Sequence, residues 1–279
     1  MSEFEPLTYK LKLISNWNTV ANKYHNNWAQ NDIGPFGATE KLIHIADIQK
    51  SDFILDIGCG TGAVTKKISK KLGKKGKLIG IDISRGALSI AKSEIKYFNV
   101  DFIEMDAEKI YFSLKFSKVI SQFAAMFFTN PIESLYSIRK LMAQEGMIVL
   151  GVHGPAENVP YFSCIMKNIM KFIPNLIPRG SPSVHSFGKR NKLKDLLIRT
   201  GFSNVKIEKY QYSYNAGTFE QYWHNYMACT ANSIKEIIEK DNDILGLIKY
   251  ETEKNALPFM ENNNIAFPWE ILIASAFNP

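Results

Sequence analysis

Two carboxylates and three glycines in this chain are spaced for ligand chemistry. Asp56 stands two residues before Gly58 in the run Ile54-Leu-Asp-Ile-Gly-Cys-Gly-Thr-Gly62, and Asp82 follows 20 residues beyond Gly62. Gly58, Gly60 and Gly62 permit a tight turn and a close ligand approach that a Cβ would obstruct. Such a loop offers backbone N–H groups to a nucleotide-like ligand, and Gly58, Gly60 and Ala63 also satisfy the G-x-G-x-x-A pattern of dinucleotide sites. Asp56 separates the two readings, because a carboxylate there repels a pyrophosphate and suits a ligand carrying an ammonium or sulfonium charge. Asp82 ends an apolar run where the α/β nucleotide-binding plan places an acid that accepts hydrogen bonds from both ribose hydroxyls. Capping the following helix, expected over 85–97, is its competing role.

These residues require a strand, a glycine loop and a helix in succession. Ile54 and Leu55 read as the end of a buried strand. From Ala63, Val64, Ile68 and Leu72 recur every four positions, with Lys66, Lys67, Lys70 and Lys71 on the other face. Leu13, Trp17, Val20, Ala21, Tyr24 and Trp28 predict an amphipathic helix over 13–29, and Thr39 is expected to cap a second helix before Asp52 opens the first strand. Further strands are read at 77–82, at 100–106 ending in Asp106, at 116–123, 147–152, 204–212 and 269–277. Asn130-Pro131 starts a helix, and Gly201 caps the end of another that begins near Leu193.

Composition narrows the class. At 279 residues with 46% hydrophobic and 22% charged residues, the chain suits one large α/β domain. Its net charge of +7 and pI of about 9.1 invite a nucleic-acid reading, but the lysines between Lys66 and Lys75 lie on a helix face and the turn after it, where solvation explains them. Cys59, Cys164 and Cys229 are isolated and lack metal-ligand spacing, so neither a zinc site nor a disulfide framework is expected. Met1–Lys10 lacks the apolar core of a secretory signal, no run reaches membrane-spanning length, and a cytoplasmic location is expected.

The pattern D-x-G-x-G-x-G at Asp56–Gly62 resembles the first motif of class I S-adenosylmethionine (SAM)-dependent methyltransferases. Met105-Asp-Ala-Glu-Lys-Ile-Tyr-Phe112 is similar to that family's Gly-Asp-Ala-Glu-x-Leu-Pro-Phe. Asn18 to Trp28 resembles a helix in which Ala-x-x-Tyr closes over the cofactor, and Ser121-Gln-Phe-Ala-Ala-Met-Phe-Phe with Gly151-Val-His-Gly-Pro155 points to small-molecule members of type 11, the ubiquinone and menaquinone C-methyltransferase kind. Ser117, Asn130 and Ala143-Gln-Glu-Gly146 depart from the usual motifs and mark a divergent member. The resemblance implies a Rossmann-like, seven-stranded, mostly parallel α/β sheet with helices on both faces, its last strand antiparallel, and a helical substrate lid. It implies SAM as cofactor and a contact set of Tyr24, Asp56, Gly58, Cys59, Gly60, Asp82, Ile83, Asp106, Ala107, Ser121 and Gln122. In that set Asp82 holds the ribose, Ile83 packs on the adenine, and Asp106 with Ala107 addresses its edge.

The expected organisation is a single methyltransferase domain over 1–279, with N-terminal helices at 13–48, a SAM-binding core at 52–153, and lid insertions at 154–186 and 214–268. Phe219, Tyr222, Trp223, Tyr226 and Met227 make an aromatic stripe in the second insertion, and the amphipathic stretch 161–177 in the first could touch a membrane or a lipophilic substrate. A methyl acceptor that must lose a proton needs a base. His153, directly after the fifth strand, is the first candidate and His25 the second. The acceptor expected is a small hydrophobic molecule. An RNA or protein methyltransferase, and a SAM-binding protein without catalysis, are the alternatives; against the former, no Asn/Asp-Pro-Pro-aromatic tetrapeptide follows the fourth strand.

Overall fold

The computed structural model describes residues 3–229 and 241–279. Eight strands form one sheet: β1 Phe53–Ile57, β2 Lys77–Asp82, β3 Val100–Glu104, β4 Phe116–Gln122, β5 Met142–His153, β6 Ser203–Asn215, β7 Met260–Glu261 and β8 Asn264–Phe277. Their order is β3-β2-β1-β4-β5-β8-β6, and the two-residue β7 pairs β8 beyond that seven-strand path. β3, β2, β1, β4 and β5 run parallel, while β8 is antiparallel to both β5 and β6. Ile54, Leu55, Ile57, Val119 and Ile120 are all buried, as expected of central strands covered on both faces.

The described helices are α1 Pro6–Tyr24, α2 Thr39–Ala46, α3 Ala63–Ser69, α4 Arg85–Glu94, α5 Pro131–Lys140, α6 Pro160–Phe172, α7 Arg190–Arg199, α8 Phe219–Cys229 and α9 Asn242–Ala256. α1 begins seven residues earlier than the apolar periodicity implies, because Glu5 caps it through the Leu7 and Thr8 N–H groups and Pro6 suits the first helical position. It passes into a wider turn at His25–Ala29. Thr39 is the first residue of α2 rather than its cap, which falls on Ala38. Ser84 caps α4 by accepting the Ala87 N–H at 3.1 Å, and the helix ends at Glu94 instead of 97.

The insertions differ from expectation in extent and exposure. β6 and β8 continue to Asn215 and back to Asn264, so the ends of the 214–268 stretch belong to the sheet. Residues 230–240 of that insertion lie outside the described residues. α6 buries Tyr161, Cys164, Ile165 and Ile169 and packs on α9 and β8, so the apolar face that could touch a membrane or a lipophilic substrate is largely a core face. No described helix is long and apolar enough to cross a membrane.

Candidate functional site

One cavity gathers the carboxyl ends of β1, β2, β3 and β4 beneath α1. Its lining includes Asp56, the loop Gly58–Thr61, Asp82, Ile83, Asp106, Ala107 and Gln122, together with Lys10, Trp17, Tyr24, Phe36, Phe123, Phe127 and Phe128. Parallel strands deliver their terminal residues to the same edge, which is why acids distant in sequence meet here.

The glycine loop is shaped by left-handed backbone at Gly58, Gly60 and Gly62, with φ of 66°, 55° and 88°. A Cβ on Gly58 would meet Ala124 Cβ at 2.2 Å, whereas one on Gly60 would project into open space. Asp82 fixes this loop: its Oδ2 accepts the Gly60 N–H at 2.8 Å and its Oδ1 the Ser84 N–H at 2.8 Å. The carboxylate keeps acceptor capacity for a further donor. Asp56 is 1% exposed and accepts the Thr65 hydroxyl at 2.5 Å. Burial raises the pKa of both acids. For Asp56 it reaches about 7, against the Thr65 hydrogen bond and aided by the charge of Asp82. For Asp82, backbone donors from Ser84, Gly60 and Ile83 partly offset the rise. The same burial pushes the Cys59 thiol up, so this lining cysteine is a neutral packing group.

At the far end, Asp106 accepts the Glu108 N–H on Oδ1 at 2.9 Å and the Lys10 ammonium on Oδ2 at 2.6 Å. The same cavity is lined by a contiguous set of aromatic rings. Tyr24 touches Trp17, Trp28 and Phe36 with ring centroids 5.2–5.8 Å apart, Trp17 reaches Phe127 at 6.3 Å, and Phe36 reaches Phe123 at 6.5 Å. Phe123 has a φ of 63°, an uncommon conformation for a bulky residue, and it turns the chain from β4 toward the glycine loop.

Of the expected contacts, all but Ser121 line this cavity. Ser121 is buried in β4, and its hydroxyl has no partner among the described residues. Gln122 does reach the cavity, with Oε1 likewise unpartnered among the described residues. The two histidines require correction. His153 lies behind Phe123, ring stacked on ring at 4.2 Å, and is 2% exposed. Its Nδ1 accepts the Trp269 indole N–H at 3.2 Å, and burial, aided by His185, holds its pKa well below the usual value. A neutral imidazole whose Nδ1 is already engaged and which a phenyl ring screens from the cavity supports the wall and offers it no free basic nitrogen. His25 does not line the cavity, but its Nδ1 pairs at 3.0 Å with the hydroxyl of Thr61, which does. The aromatic stripe of α8 is also elsewhere: Tyr222, fully buried, packs on Phe267 at 4.8 Å and donates to the Tyr161 carbonyl at 2.7 Å. No residue of either insertion lines the cavity among the described residues.

Lys10 and Phe36 are not singled out by sequence, and Phe123, Phe127 and Phe128 enter only as part of the signature Ser121-Gln-Phe-Ala-Ala-Met-Phe-Phe, not as lining residues. Three phenylalanines in the six residues after a strand end were the available signal; nothing local marks Lys10 among its neighbouring lysines.

The residues fit a cationic nucleoside. Two buried carboxylates face the cavity without a basic partner among the described residues, a combination that favours a positive charge and hydroxyl donors and opposes a pyrophosphate.

Comparison with known proteins agrees. Residues 48–210 match a family described as a methyltransferase domain. A ubiquinone/menaquinone biosynthesis C-methyltransferase of Blochmanniella pennsylvanica is 27% identical over 221 residues, covering 71% of this chain and 84% of that protein. A demethylmenaquinone methyltransferase of Staphylococcus saprophyticus is 24% identical over 206 residues, covering 69% and 84%. In fold, the chain is similar to phosphoethanolamine N-methyltransferase 2 of Haemonchus contortus, solved with phosphomonomethylethanolamine and S-adenosylhomocysteine. The TM-score is 0.62 at 16% identity over 97% of this chain and 60% of that one.

Proposed function

The chain belongs to the SAM-dependent methyltransferases, and from that premise we propose that it methylates a small, planar, lipophilic acceptor seated against the aromatic wall of the cavity. The observation carrying this reading is that one cavity is lined both by buried acids and by a set of contacting aromatic rings. Aromatic walls bind flat apolar molecules by area burial and offset stacking. The names of two relatives, both quinone methyltransferases, point the same way.

In this reading Asp82 accepts the ribose hydroxyls, Asp106 and the Ala107 backbone address the adenine, Ile83 packs on its face, and Gly58 and Gly60 admit the amino-acid part. Asp56 supplies the negative charge beside the loop. SAM supplies an electrophilic methyl group on a sulfonium. The chain's own contribution is alignment: the roof and wall exclude water and hold the acceptor in line, which supplies much of the rate without an enzyme nucleophile. With His153 and His25 both outside the lining, the acceptor is read as an already electron-rich carbon or an ionised oxygen: the methyl–sulfur bond breaks as the new bond forms, S-adenosylhomocysteine leaves, and a proton displaced from a ring carbon passes to solvent.

Incubation with methyl-deuterated SAM and a short-chain reduced demethylmenaquinone, followed by mass spectrometry, tests this. One deuterated methyl per acceptor is expected. If that quinol stays unmodified while a polar, non-aromatic metabolite in a cell extract gains the label, the lipophilic planar assignment is wrong and the methyltransferase assignment stands.

A further inference from the structure

We infer that Lys10 is a cofactor-positioning residue: its ammonium bridges Asp106 and Glu108 and clamps α1 over the adenine end of the cavity. This rests on the assignment of Asp106 to the adenine. Lys10, Leu13, Trp17, Ala21 and Tyr24 recur along one face of α1 and form the roof, so a cofactor between this face and the glycine loop leaves only when the helix lifts. The roof is held at two places. Its middle is tied by Asn18 Oδ1, which accepts the Gly86 N–H at 2.9 Å and the Ser84 hydroxyl at 3.0 Å. Its outer end is tied by Lys10, 2.6 Å from both Asp106 Oδ2 and Glu108 Oε2.

These are not ordinary surface pairs. The side chains of Lys10, Asp106 and Glu108 are 19%, 26% and 10% exposed, so solvent screens the bridges less than it screens open pairs. Burial alone would lower the pKa of Lys10; its bonds to the two acids reverse this and leave it raised. Glu108 also accepts the Thr129 hydroxyl at 2.6 Å, which anchors the clamp in the segment after β4. A carboxylate oxygen has two lone pairs, so Asp106 Oδ2 can accept an adenine amine beside Lys10, and Glu108 keeps its hold during any exchange.

Stopped-flow dissociation of S-adenosylhomocysteine, read through protein tryptophan fluorescence with Trp17 in the roof, tests the clamp. For Lys10→Met, dissociation about tenfold faster than in the parent is expected at low ionic strength, while Lys10→Arg stays within about threefold. Raising salt from about 0.05 to 0.5 M should accelerate dissociation from the parent and not from Lys10→Met. Equal rates and equal salt dependence in parent and Lys10→Met would overturn the proposal, even if the variant melted at a lower temperature. Unchanged affinity in Asp106→Ala, which removes the acceptor altogether, would instead overturn the adenine assignment, and absence of binding by the parent would overturn both.

Discussion

Asp56 shows how one side chain sets the site's chemistry. Placed in β1 by a local hydrophobic pattern, it is deprived of water, and its pKa rises to about 7. The folded value lies above the unfolded one, so between about pH 4 and pH 7 the native state holds a proton that the unfolded chain has lost. Without cofactor, this acid therefore makes stability fall as pH rises through that window and level off above it. For binding the sign is reversed, because a cationic cofactor favours the ionised carboxylate. SAM affinity should rise from pH 6 to pH 8, with proton release on binding below about pH 7, and Asp56→Asn should flatten the profile. Calorimetry in buffers of different ionisation enthalpy reads both effects; a pH-independent affinity in the parent would remove Asp56 from the account. The acids were legible in the sequence because each ends a strand or follows one closely, and strand pattern is local. His153 satisfied the same positional rule and still failed, because the turn at Phe123 that screens it is a tertiary feature.

At the scale of elements, the glycine loop and the start of the segment after β4 act as one unit, with Gly58 pressed against Ala124. Gly58→Ala combines a positive φ with a methyl contact of 2.2 Å, so the loop must move. A loss of about 1–3 kcal/mol in stability and a SAM affinity at least tenfold weaker are expected, checked by urea unfolding and calorimetry. α8 should behave in the opposite way. Tyr222→Ala empties a fully buried site among Tyr161, Tyr226 and Phe267, which should cost about 3–5 kcal/mol of stability while the folded fraction binds SAM as before. A drop in SAM affinity without loss of stability would make α8 part of the site. The period-four apolar pattern revealed that α8 has a buried face but not what it is buried against; core and cavity ask for the same residues. The extra turns at the start of α1 were hidden for a related reason, since Leu7 and Leu11 are exposed and break the amphipathic pattern that marks the rest.

Across the whole molecule, the half of the sheet formed by β3-β2-β1-β4 carries the acids, and the half containing β5, β8 and β6 carries the aromatic core that backs the wall. The strand path was readable because a glycine loop and four strand-end signals in order constrain it strongly. The positive charge did not single out a site: Lys66, Lys67 and Lys77 pair with Glu94, with Asp32 and Glu40, and with Asp101 on the surface. The central claim of the proposed function is that the cavity holds SAM through Asp82, whose two oxygens brace the glycine loop. Calorimetric titration of SAM into the parent and into Asp82→Ala at about pH 8 tests it most directly. One bound SAM per chain is predicted, weakened at least tenfold in the variant, as the loss of about 1.5–3 kcal/mol of charge-assisted hydrogen bonding requires. Equal affinity in the two proteins, or no SAM binding by the parent, would contradict it.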